Sequence, residues 1–175
     1  LLEILREHEG SADAIEAREP IYHLFGECRF GFRHALEVWP GNQDARERLD
    51  QAVSELEAKG VKAVGIVCDL SSEDGCKTFI AEAAQALGGI DILVNNAQFV
   101  ALGHLLEVDD DEFLEGMDTG PLATLRFMKA CYPYLRGDGA VVNLATSAAL
   151  RHDSGGFGAY AAAKEAIRAL SRAAA

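Results

Sequence analysis

A tyrosine and a lysine stand four residues apart near the end of the chain, as Tyr160 and Lys164 with three alanines between them. Residues at i and i+4 lie on one face of a helix, and an alanine-rich segment favours a helix. A free phenol titrates near pH ~10, about three units too high for proton transfer at neutral pH, and a neighbouring ammonium favours the phenolate. The spacing therefore predicts an acid/base pair, although on its own it is weak evidence.

Ser147 supports this interpretation. It lies thirteen residues before Tyr160, just after the apolar segment 140–144, whose β-branched residues predict a buried strand. Open α/β sheets bind ligands beyond the carboxyl ends of their strands, where a hydroxyl could donate to a substrate carbonyl oxygen. Taken alone, Ser147 is better interpreted as a turn or cap residue. Together with Tyr160 and Lys164 it favours a catalytic set.

Two further predicted strands end in polar residues. The apolar segment 90–94 is followed by Asn95, Asn96 and Ala97, and the segment 61–67 by Cys68, Asp69 and Leu70. Paired asparagines tolerate left-handed backbone and can brace a neighbouring strand through their amides. These residues are candidates for a binding site at the same sheet edge.

Helices are predicted between these strands. Amphipathic patterns with cap and stop signals predict helices over 42–59 and from about 71 to 87, a long helical region over 109–135 interrupted near Gly120, and a helix starting near Gly158. Strands that alternate with helices predict an α/β fold with a doubly wound parallel sheet.

The composition limits the function classes. The chain has 175 residues, 49% hydrophobic and 25% charged, with a formal net charge of −12 that argues against nucleic acid or an anionic membrane as partner. Four cysteines without Cys-x-x-Cys spacing, and no apolar run long enough to span a bilayer, predict a reduced, cytoplasmic protein. His104 and His152 have no partner at ligand spacing, so no metal site is predicted. Leu at position 1 indicates a fragment or processed product.

These motifs, in this order, resemble the short-chain dehydrogenase/reductase family over residues from about 42 to 175. The resemblance implies an NAD(P)-dependent oxidoreductase on a Rossmann fold that transfers hydride between a nicotinamide and a carbonyl or alcohol substrate. By position, Tyr160 would be the general acid/base, Lys164 would hold the nicotinamide ribose and favour the phenolate, and Ser147 would polarise the substrate carbonyl.

The resemblance also implies cofactor contacts and partners. Asp69, with Leu70 beside it, matches the acid that contacts the adenine, and Asn95, Asn96 and Ala97 match the family's Asn-Asn-Ala-Gly turn. The cofactor would be NAD or NADP and the partner a small carbonyl or alcohol compound. Association of identical chains would use the helical region 109–135 and the helix from 158. The alternative is a non-catalytic family fragment that acts only through protein association.

Four departures from the family pattern bear on activity. No glycine-rich phosphate loop is found in residues 1–41, where the segment 26–32 is the nearest candidate, so weak cofactor binding is expected. Position 98 is Gln where the family motif has glycine. Gly120 stands where the family usually has an asparagine, and replacing this glycine is expected to stabilise its helix. The chain also stops at Ala175, some seventy residues short of the family's usual extent.

The amino-terminal segment is atypical. Residues 1–19 are predicted to be helical, and only 21–25 and 35–39 could supply the two strands that a sheet of order 3-2-1-4-5 needs between the segments 61–67 and 90–94. The connection between them is shorter than a parallel crossover requires. We therefore expect an atypical segment over 1–41 and a partial, incomplete Rossmann domain over 42–175.

Overall fold

The computed structural model describes residues 43–150 and 156–175. The predictions for residues 1–42, including the two strands and the phosphate-loop candidate, lie outside the described residues, as does His152. Contacts between residues separate the chain into two compact units, with the boundary after Gln51. The fold below is that of the unit Ala52–Ala175. Helix α1, Gln43–Ala58, crosses that boundary and agrees with the predicted helix over 42–59.

The described sheet has two parallel strands. Strand β1, Ile90–Asn95, pairs with β2, Leu135–Asn143, and the register from Ile92 opposite Ala140 runs to Asn95 opposite Asn143. Both predicted strands, 90–94 and 140–144, are present and pair with each other, although β2 begins at Leu135 rather than at 140. The pairing is irregular between Ile90 and Ile92, where an ion pair joins Asp91 to Arg136.

The strand predicted over 61–67 is wrong for the described residues, because this segment has no regular secondary structure. Val61, Val64 and Val67 expose between 40% and 52% of their surfaces. A strand exists only through hydrogen bonds to a neighbour. In the predicted order, the neighbour of this segment is not β1, and no described strand lies beside it.

Helix α2, Glu73–Leu87, begins and ends where local sequence signals place it. The Oγ of Ser72 accepts from the backbone N–H of Gly75 at 3.0 Å, and Glu73 and Asp74 occupy the first turn. Gly88 ends the helix in the left-handed conformation, with φ of 80°. The predicted boundaries are confirmed.

The connection from β1 to β2 is helical with one irregular turn. It consists of α3, Asp110–Met117, a π-helical turn, Asp118–Leu122, then α4, Ala123–Cys131, and a 3₁₀ turn, Tyr132–Tyr134. Pro121 has no N–H to continue the regular ladder, and the N–H of Ala123 instead bonds to the carbonyls of Asp118 and Gly120. The predicted interruption near Gly120 is confirmed as this π turn.

The core lies between α2, α4 and β1. Its buried members are Cys76, Ile80, Ala84, Ile90, Leu93, Ala123, Phe127 and Cys131. The rings of Phe79 and Phe127 meet edge to face with centroids 5.6 Å apart. After β2, a 3₁₀ turn, Ser147–Leu150, leads towards α5, Gly158–Ala174. Among the described helices, none combines the length and apolar character needed to cross a bilayer.

Phe127 tests this core. Phe127→Ala removes a ring that is only 8% exposed, and we expect the free energy of unfolding to fall by about 3–5 kcal/mol because a cavity remains. Urea unfolding followed by circular dichroism measures the change. Tyr132→Ala is the matched control, because Tyr132 is 79% exposed and its removal should change stability by no more than about 0.5 kcal/mol. Equal losses in both variants would contradict this assignment of the core.

Candidate functional site

Helix α5 carries Tyr160 and Lys164 on one face, as the spacing predicts. The Nζ of Lys164 lies 5.7 Å from the centroid of the Tyr160 ring, within cation–π range. Tyr160 is half-buried, and the Phe157 ring lies beside it at 6.4 Å between centroids. The ammonium and the phenol therefore form one geometric unit.

Lys164 is held at the carboxyl end of β2. Its side chain is 4% exposed, and Nζ donates to the carbonyl oxygen of Leu144 at 2.7 Å. Leu144 directly follows the strand, and its own N–H donates to the carbonyl of Asn95 at 3.0 Å. A buried ammonium needs such acceptors, since an uncompensated buried charge is costly. The position of Lys164 therefore depends on the pairing of β1 with β2.

Ser147 begins the 3₁₀ turn that follows β2, and its side chain is exposed. This turn packs against α5, the helix of Tyr160 and Lys164. The structure thus brings the three predicted residues to one end of β2, on two elements in contact. Gly156 adds a link to the loop after β1, since its carbonyl accepts from the N–H of Gly103 at 2.9 Å.

The asparagines after β1 have different environments. The Nδ2 of Asn95 donates to the Oδ1 of Asn143 at 2.8 Å, directly across the strand pair. The Nδ2 of Asn143 donates in turn to the Oγ of Ser171 on α5 at 2.9 Å. Asn95 therefore braces the sheet and the helix, whereas Asn96 and Ala97 are exposed at the sheet edge.

Asp69 and Leu70 lie in the turn before α2. The Oδ1 of Asp69 accepts from both the N–H and the hydroxyl of Ser71, at 2.9 and 2.6 Å. The Leu70 carbonyl accepts from Nη1 of Arg126 at 3.3 Å, and the same Nη1 bonds to Asp118 at 2.7 Å. Arg126 therefore ties this turn to the π turn between α3 and α4.

Gln98 is a buried polar residue that the sequence motifs did not select as a site residue. It is 6% exposed, and its Nε2 donates to the carbonyl of Gly116 at 3.4 Å. A Cβ at position 120 would lie 2.7 Å from the Cδ of Gln98. The expectation that replacing Gly120 stabilises its helix stays a prediction, and it faces a steric cost, because the Gln98 side chain would have to move to make room for a Cβ. The sequence signal that could have found this contact is that positions 98 and 120 both depart from the family pattern.

The comparisons identify the family of this chain. The family model described as short chain dehydrogenase matches residues 38–175. A 12alpha-hydroxysteroid dehydrogenase of a Clostridium species is 39% identical over 138 residues, which are 75% of this chain and 51% of that protein. A 2-dehydro-3-deoxy-D-gluconate 5-dehydrogenase of Formosa agariphila is 31% identical over 145 residues, 81% of this chain and 54% of that protein.

Solved structures agree. A short chain dehydrogenase from Burkholderia cenocepacia in complex with NADP superimposes with a TM-score of 0.69 at 28% identity, covering 73% of this chain and 52% of that one. An NAD+-bound xylitol dehydrogenase gives a TM-score of 0.69 at 29% identity, covering 74% and 51%. The chain belongs to the short-chain dehydrogenase/reductase family, with a Rossmann-like α/β fold whose described sheet is incomplete. It spans about half the length of the relatives it matches.

The asparagine brace gives a second prediction. Asn143→Ala removes the amide that joins Asn95 to Ser171, and we expect the free energy of unfolding to fall by about 1–3 kcal/mol because the remaining partners lose their hydrogen bonds. Asn96→Ala, at an exposed position, is the control and should be nearly neutral. Thermal unfolding of both variants measures the difference. A neutral Asn143→Ala would mean that the brace is not needed.

Cys68 gives a prediction for alkaline pH. Burial, and then the adjacent Cys76 and Asp69, raise the pKa of the Cys68 thiol from 9.0 to about 12. The unfolded chain releases this proton at lower pH than the folded chain. The difference in pKa therefore lowers the free energy of unfolding at alkaline pH: the folded state keeps its full stability below pH 9 and loses part of it as the pH rises towards about 12.

We expect Cys68→Ala to reduce the loss of stability between these two pH values. Urea unfolding at a series of alkaline pH values measures it. Leu106→Ala, at a position that is 88% exposed, should keep the full pH dependence. An unchanged pH profile in Cys68→Ala would show that other groups dominate alkaline unfolding.

Proposed function

We propose that this chain supplies the substrate-activating part of an NAD(P)-dependent oxidoreductase that transfers hydride between a nicotinamide and a carbonyl or alcohol carbon. The observation that carries the proposal is the unit of Tyr160 and buried Lys164 at the end of β2, with the Ser147 turn packed on the same helix. Membership of an oxidoreductase family supports it.

In this proposal Tyr160 is the general acid and base. For carbonyl reduction its hydroxyl gives a proton to the substrate oxygen, and for alcohol oxidation its phenolate accepts one. The Lys164 ammonium, 5.7 Å from the ring centroid, places a positive charge beside the group that exchanges the proton. The exposed hydroxyl of Ser147 donates to the substrate oxygen as negative charge develops there.

The donor set suits the nicotinamide ribose end of such a cofactor. An ammonium and a phenol at the carboxyl end of a parallel strand can bind ribose hydroxyls, and Asn96 and Ala97 lie exposed at the same sheet edge. Asp69 and Leu70 are the proposed contacts for the adenine. When bound, the nicotinamide supplies or accepts the hydride. NAD or NADP as cofactor is supported by similar structures that hold NADP, NADPH and NAD+.

Tyr160→Phe tests the proposed proton transfer. We expect this change to reduce turnover by about 10²–10⁴-fold because the acid/base group is lost. A 12α-hydroxysteroid is the first probe substrate, with NAD+ or NADP+ at millimolar concentration since weak cofactor binding is expected, and formation of reduced nicotinamide is followed by absorbance. Tyr134→Phe, at a more exposed tyrosine distant in sequence, is the matched control and should keep full turnover.

The outcomes separate two hypotheses. Equal turnover in Tyr160→Phe and in the unchanged chain would overturn the role of Tyr160. The alternative function, association without catalysis, is favoured by apolar side chains exposed on the α3–α4 region, among them Leu114 at 61% and Leu122 at 42%. Absence of cofactor binding in a calorimetric titration, combined with a dimeric mass in sedimentation, would support that alternative.

A further inference from the structure

The Oε1 atom of Gln98 is buried and has no hydrogen-bond partner within the described part of the chain. The whole side chain is 6% exposed, and its other terminal atom, Nε2, is engaged by the Gly116 carbonyl at 3.4 Å. Most buried side-chain polar atoms have a protein or water partner, because an unpaired one costs about 1–3 kcal/mol. An acceptor left open in this position therefore points to a ligand that donates a hydrogen bond.

The orientation of the Gln98 amide is determined by its neighbour. Exchanging its oxygen and nitrogen would place Oε1 against the Gly116 carbonyl oxygen, and two acceptors would then face each other. With Nε2 towards Gly116, Oε1 remains available as an acceptor.

Gly120 leaves the space that the Gln98 side chain occupies. A Cβ at position 120 would lie 2.7 Å from Cδ, 2.8 Å from Nε2 and 3.1 Å from Cγ of Gln98, all closer than ordinary contact. Two hydrogen bonds of Thr119 fix the neighbouring backbone, since its Oγ1 accepts from the Phe99 N–H at 3.0 Å and donates to the Glu115 carbonyl at 2.7 Å. In its observed position the Gln98 amide leaves no room for a Cβ at position 120, so a side chain there requires Gln98 to move.

We propose that Gln98 and Gly120 form a size-matched pair that builds an internal water site, in which one water molecule donates a hydrogen bond to Gln98 Oε1. A single water is the ligand because the acceptor is buried and a buried water typically satisfies such groups. The site lies against the π turn Asp118–Leu122, which packs on α5. Its existence does not depend on the proposed hydride transfer.

A double-mutant cycle tests the size match. Gly120→Ala should lower the unfolding temperature by roughly 3 °C or more, since its methyl group collides with Gln98. In a Gln98→Ala background the same change should cost nothing. Gly116→Ala is the matched control, because a Cβ there meets only the Phe99 carbonyl at an ordinary 3.8 Å and should not lower the unfolding temperature.

Equal losses for Gly120→Ala with and without Gln98 would overturn the size match. If Gly120→Ala does not fold at all, the Gln98→Ala/Gly120→Ala variant gives the answer, because it should regain a cooperative unfolding transition. Failure of this double variant to fold would also overturn the match.

Gln98→Met tests the water. Methionine has a similar length but neither a comparable acceptor nor the donor to the Gly116 carbonyl. Losing a bound water together with this hydrogen bond should lower the unfolding temperature, whereas removing a dry, unpaired oxygen would offset the lost hydrogen bond and leave the temperature unchanged or higher. A crystal structure of the unchanged chain should also contain an ordered water at about 2.7–3.2 Å from Oε1. A higher unfolding temperature for Gln98→Met, or a crystal structure without that water, would overturn the water site.

Discussion

The parallel pairing of β1 with β2 is the interaction on which the candidate site depends. A parallel pair needs a long crossover, and here α3, the π turn and α4 provide it. At the carboxyl end, Asn95 bonds to Asn143, Asn143 bonds to Ser171 on α5, and the Leu144 carbonyl accepts from Lys164. The strand ends and the helix are therefore held by one polar network, and a shift of register would break its link between Asn95 and Asn143.

The π turn is a second constraint, and its cause is local. Pro121 cannot donate to the helical ladder, so the chain widens by one residue between α3 and α4. The wider turn places Gly120 against the Gln98 side chain. It also places Oδ1 of Asp118 at 2.7 Å from Nη1 of Arg126. The two single-residue departures from the family pattern, at 98 and 120, therefore meet in space. Compared with that pattern, position 120 lacks a side chain and position 98 carries one, and neither position alone reveals their contact.

Local signals were sufficient for much of the described fold. The Ser72 cap and Gly88 determined the ends of α2, and the i, i+4 spacing placed Tyr160 and Lys164 on one face. The prediction of a strand over 61–67 failed because β-branched residues indicate only that a segment can form a strand. They do not indicate whether a neighbouring strand is there to pair with it. The contact of Gln98 with Gly120 could not be predicted either, since it depends on the path of a loop and on the π turn.

The described residues supply the groups for proton transfer but not a glycine-rich site for a pyrophosphate. The groups suited to moving a proton and holding a substrate oxygen, Tyr160, Lys164 and Ser147, all lie at the end of β2. Binding a pyrophosphate requires instead a series of backbone N–H groups at a glycine-rich helix start. Helix α2 begins after Ser72, and there the N–H of Gly75 already donates to the Ser72 hydroxyl. In the proposed function, acid/base chemistry and pyrophosphate binding therefore depend on different parts of the chain.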